Sequence, residues 1–108
     1  MYRFTTPTHT FHFSTEVTEA REVLITYAQN GKIVLEKHKD ELTISEDGKA
    51  ASFMLTEDES ALFSAFRPVS VQVRVLTSGG ESLASAVQEV SVLPVLHDCC
   101  LGLGGAAE

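Results

Sequence analysis

The sequence predicts a mainly β domain: a small antiparallel β-sandwich with one short helix before the last hairpin. Three observations predict it. Apolar residues recur with a period of two in segment after segment, and that alternation marks strands with one buried face. Asn30-Gly31 and Asp47-Gly48 each stand between two such segments, and Asx-Gly pairs supply the positive φ angles that tight hairpin turns require. Residues 57–66 alone combine helical spacing with a capping signal.

Residues 8–13 open the pattern, with Phe11 and Phe13 on one face and Thr10 and His12 on the other. The polar run 15–21 reads as a connection or a single helical turn. Residues 22–38 form the clearest hairpin: Val23, Ile25 and Tyr27 alternate before Asn30-Gly31, and Ile33 and Leu35 after it. A second hairpin with the same turn chemistry pairs Leu42 and Ile44 with Ala51, Phe53 and Leu55 across Asp47-Gly48. Its short, polar first strand belongs at a sheet edge. Thr56 then caps a helix over 57–66. Glu59 completes the capping box, the acidic first turn suits the positive helix end, and Pro68 terminates the segment. Val69, Val71, Val73 and Val75 share one face of the next strand. Ser78-Gly79-Gly80-Glu81 turns the chain into residues 82–93, where the step from Val87 to Val90 breaks the alternation. A β-bulge near Gln88 and Glu89 restores the inward face.

This order of elements is that of an immunoglobulin-like sandwich, without the Cys…Trp…Cys signature of antibody-type domains. An α+β roll is the runner-up. Residues 1–97 are expected to form the single domain and 98–108 a flexible C-terminal tail. A chain of 108 residues with 44% hydrophobic residues can bury a core without disulfides or metals. The net charge of −7 repels phosphate and argues against nucleic-acid binding. Lys37 and Lys39 form the one basic cluster and read as a solvated strand end. No apolar run approaches the ~20 residues that span a bilayer, and residues 1–11 lack the apolar core of a signal peptide.

The residues with chemical potential do not assemble into a site. His9 and His12 face opposite ways on one strand and read, with His38, as surface histidines. His97-Asp98-Cys99-Cys100 concentrates ligand types, but zinc sites take two separated ligand pairs and no second pair exists. Adjacent cysteines rarely bridge each other, and nucleophilic catalysis by Cys99 or Cys100 would need a positioned base. Glu57, Asp58 and Glu59 are explained by helix capping, since the alternating oxygen pattern of a calcium loop is missing. Gly79-Gly80 and Gly102, Gly104 and Gly105 do not lead from a strand into a helix, so they are no phosphate loop. The expectation is no enzyme, no catalytic, cofactor or metal site, and action through the surface, where open strand edges invite pairing with other chains.

Three stretches carry a resemblance. They are Ile25-Thr26-Tyr27-Ala28-Gln29-Asn30-Gly31-Lys32 with Leu35-Glu36-Lys37, Leu55-Thr56-Glu57-Asp58-Glu59, and the strand pair from Val71 to Thr77 through Gly80 to Leu83-Ala84-Ser85 and Val90-Ser91-Val92. Over residues 4–96 the chain resembles small immunoglobulin-like proteins encoded in phages and prophages of Gram-positive anaerobes. The resemblance implies a virion-associated role in a tail or baseplate, with other protein subunits or a second copy as partners. It implies a location in the virion or the host bacterial cytoplasm, and no cofactor. A free module binding a carbohydrate or host protein is the alternative, weakened by the absence of Trp and the presence of only two Tyr. A small enzyme using His97, Cys99 and the acidic helix start is the third.

Overall fold

In the computed structural model, which describes residues 1–14, 16–85 and 87–96, the alternating segments become strands. They are β1 (Thr8–His12), β2 (Glu22–Gln29), β3 (Lys32–His38), β4 (Thr43–Ile44), β5 (Ala50–Met54), β6 (Val69–Leu76), β7 (Ser82–Ala84) and β8 (Gln88–Val90), with a 3-10 turn (Lys39–Glu41) between β3 and β4 and a short α-helix, α1 (Glu57–Ser60), between β5 and β6. One sheet has the order β1-β5-β4, the other β3-β2-β6 with β7 and β8 both against β6. All these pairings are antiparallel. A parallel bridge joins Tyr2 to Leu93. The strand order is the immunoglobulin-like one, in which hairpin partners of the central strands form one sheet and the remaining strands the other. The predicted fold class is the observed one.

The core lies between the sheets. It takes Val23, Ile25 and Tyr27 from β2, Val69, Val71 and Val73 from β6, Phe53 from β5, and Leu55, Phe63 and Val92 from the connections. Each large side chain so buried contributes on the order of 1.5–3 kcal/mol. Tyr27 stands at the centre, tilted against Phe63 and edge-on to Phe53, with centroids 5.8 and 6.1 Å away.

Local chemistry explains the departures from the sequence reading. Asn30 and Gly31 have φ of 56° and 76°, the double positive φ of a type I′ turn. Past it, the register shifts by one residue between Tyr27 and Ala28, so Ile33 pairs with Ala28 and Leu35 with Tyr27. This bulge turns Ile33 outward, 65% exposed, and breaks its expected alternation with Leu35. At the second turn only Gly48 has positive φ, 73°. Asp47 instead accepts bonds from the Ser45 hydroxyl and the Lys49 N–H, so the loop is a side-chain-stabilised turn rather than a type I′ hairpin. β4 does lie at a sheet edge. The bulge placed at Gln88 and Glu89 occurs earlier: Arg74 pairs with Ala84 but Val71 with Gln88, so the extra residue lies between Ala84 and Gln88, and Val87 points outward.

The helix is shorter than its apolar spacing predicts, 57–60 rather than 57–66. The capping box of Thr56 and Glu59 forms as expected. Tertiary bonds then capture the chain before a second turn completes. Arg3 donates to the carbonyls of Ala61 and Phe63. Gln29, 6% exposed, accepts from the Ser64 N–H and donates to the carbonyls of Ser64 and Arg67. Phe63 enters the core, while Phe66 takes a φ of 65° and is left exposed. The 15–21 connection also does more than link: Val17 and Ala20 are buried. Lys39 is no solvated strand end, because its ammonium donates to the carbonyls of Thr18 and Ala20 at 2.7 Å.

Candidate functional site

Among the described residues no group of three His, Cys, Asp or Glu side chains stands close enough to hold a metal ion. Glu57 to Glu59 sit in the first turn of α1. Glu59 does double work, since its carboxylate also takes the Lys37 ammonium at 2.6 Å. Burial alone would raise the Glu59 carboxyl, but the bonds from Lys37 and Thr56 outweigh it and hold it below its usual range. Lys37, with its side chain 11% exposed, lies 5.9 Å over the Phe53 ring and is likewise no solvated residue. His12 and His38 are exposed, as expected. His97, Asp98, Cys99 and Cys100 lie outside the described residues, as do Gly102, Gly104 and Gly105 and the expected tail.

His9 is the clear correction. Its parity on β1 puts it with Phe11 on the inner face, not on the surface. The imidazole stacks on Tyr27 at 5.7 Å, meets Phe53 edge-on at 6.0 Å, and has its Nδ1 2.5 Å from the Tyr27 hydroxyl. Burial, then the nearby N-terminal ammonium, holds its pKa below the usual 6.5. Burial and the Glu59 charge push the Tyr27 hydroxyl up. The alternation of residues 8–13 already contains this placement, because odd positions there share the face of Phe11 and Phe13.

The feature with potential for binding is the lateral edge of the sandwich beside β1. β1 pairs with β5 on one side only. Two bonds fix which backbone groups face that partner: the Phe13 N–H donates to Lys49 and the Leu55 N–H to Pro7. By alternation, His9, Phe11 and Phe13 address β5, and the N–H and C=O groups of Thr8, Thr10 and His12 point the other way. Among the described residues nothing pairs with that row. It borders a continuous cleft between β1 and the β7–β8 side of the other sheet. Three adjoining depressions of about 260, 280 and 380 Å³ share walls at Phe11, Val71 and Gln88, then at Phe13, Val73 and Ser85. The floor is therefore the exposed flank of the core, and the rim is an open strand edge. A larger depression of about 730 Å³ lies among Arg21, Glu22, His38, Lys39, Asp40 and Glu41. It is a polar surface whose Glu22 carboxylate is already engaged by the Val23 and Lys39 N–H groups and by His38.

No helix among the described residues is long and apolar enough to cross a membrane. No family model and no curated protein matches the chain. A solved structure, the V domain of amphioxus IgVJ-C2, is similar at 11% identity and a TM-score of 0.35, covering 85% of this chain and 96% of that one.

Proposed function

We propose that this protein is a non-enzymatic interaction module that takes an extended segment of another protein subunit as an added strand along β1. The observation that supports the reading is the row of unpaired backbone groups at Thr8, Thr10 and His12 beside an apolar cleft. Main-chain bonds would give affinity, and alternate side chains of the added strand would enter the cleft over Phe11 and Phe13. A subunit that caps or joins neighbours by strand exchange fits the phage or prophage structural role, in a tail or baseplate, implied by the resemblance over residues 4–96.

Thr10→Pro separates this edge from the fold. The Thr10 N–H points outward, so proline removes an outward donor and leaves the β5 ladder whole. A peptide of alternating valine and threonine with lysine ends serves as probe at pH 7.5. It should bind the wild type, shift the backbone amide resonances of residues 8–12, and lose binding to Thr10→Pro while that variant melts within a few degrees of the wild type. Absence of binding to the wild type, or equal binding to Thr10→Pro, overturns the docking edge. The virion reading is tested separately by mass spectrometry of purified induced particles, and absence from them refutes it. Specific hits on a glycan array would favour the alternative, a free carbohydrate-binding module.

A further inference from the structure

Of the titratable rings that line the docking cleft, His9, His12 and Tyr27, the half-buried His9 imidazole has surroundings that suit only one of its charge states, whereas His12 is exposed. His9 lies on β1, the edge strand held by a single neighbour. Its ring is enclosed by Tyr27 of β2 and Phe53 of β5, and it opens on the cleft opposite Val71 of β6 and Gln88 and Val90 of β8. Neither β6 nor β8 presents a charge to it there. Nearby, the Met1 ammonium opposes a second positive charge. The Lys37 ammonium lies over Phe53, and Glu59 beyond Tyr27, but these two are already bonded to each other. No carboxylate pairs with His9 among the described residues. Among the described residues its side chain has one polar partner, the Tyr27 hydroxyl. An imidazolium formed here is half-shielded from water, with only the cleft side open to it, and has no counter-charge among the described residues. The cheapest relief is movement of β1, because that strand breaks one ladder and not two.

We propose that the His9–Tyr27 contact is an acid-released latch, which holds β1 against the core at neutral pH and lets it peel from the sandwich in mild acid. The inference rests on the reading of β1 as the docking edge and adds its regulation: an added strand would be retained near neutrality and released on acidification. The direction follows from linkage. An opened β1 returns His9 to water and to its ordinary affinity for protons, so protons favour the open form. The opening equilibrium grows by up to about tenfold for each pH unit between the two affinities.

Amide hydrogen exchange of the whole chain, corrected for intrinsic rates, tests this at pH 7.5, 6.5 and 5.5. The Phe11, Phe13 and Leu55 amides should lose protection progressively, by up to roughly tenfold, as pH falls through this range, while the β2–β6 ladder keeps its own. His9→Gln, which is neutral and can still bond Tyr27, should remove the pH dependence even if it lowers protection overall. The His9 ring protons should titrate below pH 6.5 in the wild type. Uniform loss across both sheets, equal pH dependence in His9→Gln, or a His9 titration at or above 6.5 overturns the latch. None of these readouts uses the peptide, so the latch and the docking edge can fail independently.

Discussion

Two glycines with the same backbone conformation offer a direct test of how the 15–21 connection is held. Gly31 and Gly48 have φ of 76° and 73°. Alanine at either position pays the left-handed penalty, on the order of 1 to 2 kcal/mol. Their surroundings differ. A Cβ at Gly31 would meet nothing within 4 Å, whereas at Gly48 it would stand 2.4 Å from Thr18 Oγ1 and 2.9 Å from Glu16 Cγ. Thr18 and Glu16 crowd the new methyl together, so rotating one side chain does not clear it. Unless both side chains turn away, the segment retreats, and with it the bond from the Val17 N–H to the Gly48 carbonyl at 2.8 Å and the seat of Val17, 2% exposed. Losing part of that bond and burial adds roughly 1 to 3 kcal/mol. Gly31→Ala should therefore cost about 1 kcal/mol and Gly48→Ala about 2 to 4 kcal/mol. Urea titrations give both numbers directly, and thermal melts should show the second shift at least twice the first. Gly80→Ala, with φ of 91° and an empty surround, should behave like Gly31→Ala. If Gly48→Ala is no worse than Gly31→Ala, the 16–18 segment does not pack on the turn and its place in the core is wrong.

Three further outcomes follow from the same structure. Gln29→Leu should cost about 2 to 4 kcal/mol by urea unfolding, because it strands one N–H and two carbonyls of the 64–67 segment. Val73→Ala should cost about 1 to 3 kcal/mol, and a null result would mean that the inner face of β6 is misassigned. The folded-state Glu59 carboxyl lies below its unfolded value of 4.5, so its contribution to stability is present above that value and lost as pH falls through the folded one. Lys37→Met should weaken the acid dependence of the melting temperature in that range, and an unchanged slope would count against the ion pair.

Strands were legible because alternation and turn chemistry are local. The inner faces of β2 and β6 follow from Val23, Ile25 and Tyr27 and from the valines of β6, and the tightest turn follows from Asn30-Gly31. The helix was not legible beyond its cap. Ala61, Leu62, Ala65 and Phe66 keep a helical period, yet Gln29 and Arg3, over thirty and nearly sixty residues away, bind the backbone that a helix would have used. Intrinsic preference loses to long-range bonds in a segment this short. The same blindness hid the partners of Lys37 and Lys39, which lie across the fold at Glu59 and at the Thr18 and Ala20 carbonyls. His9 differs, since parity alone placed it inside. Its polarity argues for an outward position, and the pattern of its own strand overrides that.

The distribution of these polar clasps separates the two sides of the sandwich. At the end of the sandwich carrying the β5–β6 connection, Arg3, Gln29 and Ser60 tie chain segments together. The Ser60 hydroxyl, fully buried, donates to the Thr5 carbonyl and accepts the Thr5 N–H. The chain start adds its bonds to Ser91 and Leu93. Backbone groups there that secondary structure leaves over are met by side chains from distant sequence, as a sealed surface demands. Beside β1 the pattern stops. Thr8, Thr10 and His12 turn their backbone groups to a cleft floored by Phe11, Phe13 and Val73, and among the described residues no distant side chain meets them. Edge strands are ordinarily blunted by charges, proline, bulges or a covering loop; Thr8–His12 carries no charge, proline or bulge, and no loop of the described residues pairs with its outer edge. A chain that uses buried Gln29 and Ser60 and half-buried Arg3 to close one end, yet among its described residues leaves a regular five-residue edge open over its own core, supports the proposal that an added strand closes that edge.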